Sequence, residues 1–269
     1  MLLQLLQYYS AEREHVLKNK NRYLNYAGAL ARAGNKAISC LALVLVLALV
    51  IYGSYSIYNI WQIYHGAYLD DDIAELKPTE QNHLSLEELR KINEDVVGWI
   101  TIDGTKIDYP FVQGKDNMEY INQDLYRSFS FSGTIFMDYR NSKDFSDHYN
   151  LLYGHHMRYG AMFGDIEKYR GQDFLDKNHT GTLIVDRGEY QIDLYAFIIC
   201  AASDIRFFDA GPMSAEEFGK KLEYIKNGAA IYRDVDVAEN DQIIVLSTCS
   251  ESNSNERMML AGKLIKKHD

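Results

Sequence analysis

The strongest constraint on how this chain can fold is a gap in its charges. Between Lys36 and Asp70 there is no Asp, Glu, Lys or Arg, and Ala37 to Gly53 reads AISCLALVLVLALVIYG. A helix needs about 20 mostly apolar residues to cross a hydrocarbon core, and residues 37–58 supply that length. The run is too long and starts too late for the apolar core of a signal peptide, which ends at small residues before a cleavage site. It has no polar face, unlike an ordinary surface helix. Tyr55, Tyr58, Trp61 and Tyr64 follow it, residue types that favour the membrane–water interface. We therefore expect a single transmembrane helix over 37–58.

The same gap divides the charge. Residues 1–36 hold six Lys or Arg against two Glu, a net +4, so the overall −10 leaves −14 on the remainder. Basic residues before the span and Asp70-Asp71-Asp72 after it predict a cytoplasmic tail at 1–36 and an extracellular body. The cell membrane is thus one expected partner. An acidic body offers no basic face to nucleic acid, so none is expected as a partner. Residues 59–84, polar and holding Pro78, read as a spacer, and residues 85–269 read as one domain.

Within that domain, Ser85 and Glu88 form a capping-box pattern ahead of Leu86, Leu89 and Ile92, which predicts a short helix. Short strand patterns follow at 97–102, 107–112, 133–138, 149–153, 181–185, 190–200, 242–248 and 258–265, with Asp103-Gly104 as a hairpin turn. Residues 117–125 suit a helical turn. Ser214 and Glu217 make a second capping box for a helix over 214–227. Many strands with few helices suggest a mainly β fold closed into a barrel.

Chemistry points to the cysteines, which are three in number and too few for a disulfide scaffold. Cys40 lies inside the apolar run. Cys200 ends an alternating strand and reads as a buried thiol. Cys249 follows Ile243–Leu246 and the pair Ser247-Thr248, then opens a polar loop over 250–256. A thiol held at a strand end and facing a loop suits a nucleophile, which needs a His partner and a donor for developing negative charge. His155 and His156, after Leu151-Leu152-Tyr153-Gly154, are candidates for the first role, and Arg257 for the second. From spacing alone, a Cys200–Cys249 disulfide in an extracellular protein is an equal alternative.

Taken together, Leu246-Ser247-Thr248-Cys249 with Arg257 in the next strand, and Tyr153-Gly154-His155-His156 upstream, resemble the sortases, membrane-anchored cysteine transpeptidases of Gram-positive bacteria. Residues 92–100 (INEDVVGWI), 107–113 (IDYPFVQ) and 133–141 (GTIFMDYRN) are similar to class B members, as is the helix at 214–227 between two late strands. The resemblance covers about residues 85–266. It implies an eight-stranded β-barrel preceded by N-terminal helices, with Cys249 as nucleophile, His155 as general acid/base and Arg257 as transition-state stabiliser. His156 would be a neighbour in the site wall. Ser247 and Thr248 would line the acyl pocket, and the loop at 203–213, through Ile205, Phe207 and Phe208, part of the peptide groove. Glu251 has no assigned role.

The implied reaction cleaves a C-terminal sorting signal after Thr through a Cys thioester, with signals of the Asn-Pro-x-Thr-x kind typical of the class. An amine of a peptidoglycan precursor then releases the acyl group. No cofactor or metal is called for. The partners implied are secreted surface proteins bearing the signal and the amine acceptor. Two alternatives are a pilus-polymerising enzyme that uses a pilin Lys, and a silent membrane-anchored binding module whose cysteines are paired or inert.

Overall fold

The computed structural model describes residues 2–65, 67–79, 85–249 and 255–267. The Ser85 and Cys249 side chains, and residues 250–254 of the expected loop with Glu251 among them, lie outside what is described. The chain divides into two units, one up to Ile60 and one from Trp61. Helix α1 (Leu2–His65) contains the apolar run, and the apolar side chains Leu41–Ile51 that the structure describes stand exposed. This is one helix long and apolar enough to cross a membrane, and none of that stretch is buried in protein.

In the second unit, α2 (Asp71–Glu75) and α3 (Ser85–Ile92) precede nine strands: β1 (Val96–Ile102), β2 (Asp108–Val112), β3 (Phe136–Met137), β4 (Tyr149–Tyr153), β5 (Thr180–Val185), β6 (Gly188–Ala201), β7 (Ala229–Tyr232), β8 (Gln242–Cys249) and β9 (Glu256–Lys266). Three further helices, α4 (Gln172–Lys177), α5 (Ile205–Phe208) and α6 (Ala215–Gly228), lie between them. The sheet order is β5-β1-β2-β3-β4-β8-β9-β6-β7, and an added β5–β6 pairing closes eight strands into a ring with β7 on its outside. The expected eight-stranded closed barrel is therefore what the chain forms.

Closure follows from the lengths of β6 and β9. Tyr190 to Ala201 pairs antiparallel with Lys266 to Glu256, and the first half of β6 turns back on β5. Parallel pairs join β4 to β8 and β2 to β3. Side chains of alternating strand positions face opposite sides, and here both sides are covered. Leu152, Ile244, Leu246, Leu260 and Phe197 fill the barrel interior. Leu151, Val245, Met259 and Ile198 pack outward against Phe218 and Ile225 of α6. On the opposite wall α3 lays Leu86 and Leu89 over Val96, Trp99 and Ile184.

Several expected elements shift. The 133–138 pattern yields only the two-residue β3, because Gly133 at φ +59 and the turns before it bend the chain out of extension. Residues 119–122 form a single 3-10 turn. The expected spacer already packs on the barrel: Ala67 and Ile73 are buried. The Ser214–Glu217 capping box at the start of α6 is present, its hydroxyl accepting from the Glu217 amide at 3.3 Å.

Candidate functional site

The site grows from one strand junction. The parallel pairing of β4 and β8 ends with Tyr153 opposite Ser247, and the Gly154 amide donates to the Ser247 carbonyl at 3.1 Å. The next residues of both strands, His155 and Thr248-Cys249, therefore leave the barrel at the same end. On the other side of β8, the β9 register sets Thr248 opposite Met258 and Cys249 opposite Arg257. Segment 153–155 thus converges with 247–249 and 257, which lie more than 90 residues further along the chain.

A pocket of about 140 Å³ lies at this junction, lined by Ile121, Phe136, Tyr153, Gly154, His155, Ser247, Thr248 and Arg257. The Phe136 and Tyr153 rings, 5.3 Å apart between centroids, form its apolar wall. Ser247 and Thr248 are buried, and neither hydroxyl has a hydrogen-bond partner among the described residues. Leaving two such groups unpaired is costly to folding, of order 1–3 kcal/mol each. Gly154 is required by space, because a Cβ there would sit 2.7 Å from the Phe163 ring.

His155 is oriented by a backbone contact. Its Nε2 lies 2.9 Å from the Ile121 carbonyl, and since a carbonyl only accepts, Nε2 carries the proton. The other ring nitrogen, Nδ1, is then the one left to exchange a proton within the site. Arg257 is partly buried, and its Nη1 donates to the Glu256 carbonyl at 3.1 Å. Arg170 reaches the same strand end, 3.8 Å from the Glu256 carboxylate.

Behind the apolar wall stands Asp138, fully buried. It accepts from Tyr153 Oη at 2.9 Å, from Asn117 Nδ2 at 2.9 Å, and from Arg140 through Nε at 2.9 Å and Nη2 at 2.8 Å. Burial alone would push its carboxyl up, but these hydrogen bonds, those of Arg140 foremost, outweigh it and hold the group below its usual value. Arg140 also donates to the Phe208 carbonyl. One carboxylate thereby ties the pocket wall to α5. Sequence reasoning had both Tyr153 and Asp138 within its motifs without seeing that they touch. Ile121 acts through its carbonyl, which no side-chain pattern reveals.

The structure sets three of the expected residues apart from this pocket. Phe207 is only 3% exposed and packs against the Tyr224 ring, 4.7 Å between centroids, so it presents no surface to a peptide. Ile205 is exposed but does not line the pocket. His156 turns away from the pocket, its Nε2 lying 3.4 Å from the Glu167 carboxylate. Residues 205–208 form a helical turn whose inward face is set by α6, which local sequence cannot specify.

The disulfide alternative fails on geometry. Cys200 and Cys249 both pair with Arg257, from β6 and β8 on either side of β9. Two strand spacings separate them by about 9.5 Å, beyond the roughly 7 Å limit between Cα atoms for a bridge. Cys200 is a free buried cysteine, and burial, aided by Asp204, pushes its thiol up to about 12. That thiol is inert packing.

No family model matches the chain. Sortase B of Listeria monocytogenes is 35% identical over 184 residues, covering 68% of this chain and 74% of that protein. Sortase B of Staphylococcus aureus is 31% identical over 241 residues, 85% of this chain and 97% of that protein. The structure of a Cys-to-Ser mutant form of Clostridium perfringens sortase B, 30% identical, superposes with a TM-score of 0.69 over 74% of this chain and all of that one. With its closed barrel, its helix between β6 and β7 and its strand-end cysteine, the chain belongs to the class B sortases, the cysteine transpeptidases that these relatives represent.

Proposed function

We propose that this transpeptidase cleaves a C-terminal sorting signal after Thr and joins the released protein to an amine of a cell-wall precursor. Cys249 is the nucleophile. Its sulfur attacks the Thr carbonyl as the thiol proton passes to His155 Nδ1, and the carbonyl oxygen gains negative charge that the Arg257 guanidinium meets with fixed N–H donors. His155 gives a proton to the leaving amine as the C–N bond breaks, leaving a thioester. The acceptor amine then attacks the thioester, losing its proton to His155 and restoring the thiol. Ser247 and Thr248 line the acyl pocket.

One observation carries this reading: the β4–β8–β9 register, in which Ser247 pairs with Tyr153 and Cys249 with Arg257, bringing a thiol residue, an oriented imidazole and a guanidinium to one strand end. The tautomer supports it as well, since Nε2 is occupied by the Ile121 carbonyl and Nδ1 remains for proton transfer.

Residues 37–58 of α1 anchor the enzyme in the cell membrane, with 1–36 cytoplasmic, 59–84 as the connecting segment and 85–269 as the catalytic domain outside. The Lys and Arg bias before the span supports that orientation. Tethering raises the effective concentration of substrates and lipid-linked acceptors held at the same leaflet.

The test is incubation of the protein with a peptide bearing Asn-Pro-x-Thr-x and either triglycine or a Lys-containing peptide, with products read by mass spectrometry. Cleavage after Thr and joining to triglycine are expected, abolished in Cys249→Ala and reduced by about 10²-fold or more in His155→Ala and Arg257→Ala. Joining to the Lys peptide alone would instead assign a pilus polymerase. Undiminished cleavage by Cys249→Ala would overturn the nucleophile.

A further inference from the structure

The loop from Met118 to Gly133 does more than hold His155. Two phenyl rings stand on it in solvent: Phe129 is 69% and Phe131 53% exposed, packed edge-to-face at 4.9 Å between centroids. The loop under them is braced. The Ser130 amide donates to the Asn122 carbonyl at 3.0 Å, Thr134 to Tyr120 at 3.1 Å, and Asp124 to Ser128 at 2.9 Å. Phe129 also forms a β-bridge with Gln123. This is a rigid presentation of apolar surface, and such surface on a soluble face marks a contact site.

What it contacts follows from the segment packed beside it. Tyr126 of the same loop donates to the Asp72 carboxylate at 2.6 Å, and Leu125 is buried with Ile73 in one cluster. Residues 67–73 thus run along this loop, and they follow closely on the aromatic end of α1. Ala67 is buried and its carbonyl accepts from Tyr109 Oη at 3.1 Å, which fixes it to the barrel. Five residues separate Trp61 from Ala67, and even fully extended the stretch reaches only about 20 Å. The Phe129–Phe131 loop and the segment 67–73 by which the chain enters the barrel are therefore packed together. Between residues 125 and 133 the sequence holds one charge, Arg127, which is exposed and neutralised by an ion pair with Asp95 at 2.8 Å.

We infer that the Phe129–Phe131 loop inserts into the outer interface of the membrane that holds the anchor, setting the His155 end of the barrel at the lipid surface. Aromatic side chains seat readily at the headgroup boundary, and an apolar contact of this kind needs no anionic lipid. Because Ile121 of the same loop accepts from His155, the catalytic pocket would be held at a fixed height above the bilayer. This inference rests on the membrane-anchor reading given above.

The test uses the full chain in phosphatidylcholine vesicles. In a Trp61→Phe background the remaining Trp99 is buried, 1% exposed, so Phe129→Trp adds a reporter on the loop. Lipid brominated near the headgroup should quench its emission at least twofold more than that of the Trp61→Phe parent. Quenching no greater than the parent's would overturn the inference, whatever the enzyme assay gives. Independently, Phe129→Ser with Phe131→Ser should lower turnover of a lipid-tethered sorting peptide about fivefold or more while leaving that of the free peptide unchanged. An equal loss on both peptides would make the pair a wall of the peptide groove and refute the membrane contact. No cleavage of either peptide by the parent chain would refute the sorting reaction alone, leaving the quenching result to decide the loop.

Discussion

Asp138→Asn is the sharpest perturbation the structure offers, because it keeps the shape of a buried group while removing its charge and turning one of its two acceptor oxygens into a donor. The carboxylate is fully buried and receives four side-chain hydrogen bonds, two of them from Arg140. Breaking a buried ion pair from one side costs about 3–5 kcal/mol. Arg140 remains 34% exposed, so water screens part of that loss, and the amide oxygen can still accept one bond. We expect about 2–3 kcal/mol, or a Tm lowered by about 4–12 °C at this domain size. Urea unfolding in detergent, followed by the buried Trp99, measures it. The pH dependence is the stricter part. The folded carboxyl lies below its ordinary value, so its stabilisation is fully present above about pH 4 and is lost as pH falls through the lower, folded value. The gap between parent and variant should therefore be widest near neutrality and close under acid. Equal stability at pH 7, or a gap unchanged at pH 3, would refute this account of the network. Replacing Arg140 by Met as well should recover part of the loss, since the unpaired guanidinium is then gone.

Gly133→Ala forces a side chain onto φ +59 with its Cβ 2.3 Å from the Ile121 carbonyl; strain and a displaced His155 acceptor should cut peptide turnover more than tenfold, measured by product release. Phe207→Ala removes a ring buried against Tyr224 and should cost about 3–5 kcal/mol in urea unfolding, with KM for a sorting peptide unchanged at temperatures where the variant stays folded. Lys221 is buried, its ammonium donating to the Asp209 carbonyl and lying 3.9 Å above the Tyr149 ring, and burial pushes it down to about 8. A lysine lowered on folding makes stability rise with pH between the folded and unfolded values, so the parent should gain stability from about pH 8 to 10 and Lys221→Met should not.

Much of this was legible in local sequence. The apolar run, most strands and the α6 cap follow from periodicity and capping chemistry within windows of a few residues, and the motifs around Cys249 and His155 carry the family. What could not be read was set by pairing across the chain. The parallel β4–β8 contact joins residues about 90 apart, and a two-strand separation of Cys200 from Cys249 appears only once β9 lies between them. Phe207 shows the limit at small scale. In Ile205-Arg206-Phe207-Phe208 either aromatic could face outward, and only the docking of α6 decides that Phe207 goes in. Tyr153 and Asp138 sit 15 residues apart with nothing local to link them.

The wall formed by β4, β8, β9 and β6 is covered on its inner face by the barrel core and on its outer face by α6. Strands clad on both sides have no tolerant position, so a saturation scan across 243–246 and 258–261 should lose the every-other-residue pattern seen in half-exposed strands. Amide hydrogens there should also exchange last, through global unfolding alone. Cys249 and Arg257 stand at the end of this most protected part of the molecule. The frame proposed to react is thus as rigid as the protein allows, which leaves adaptation to a substrate to the loops around it.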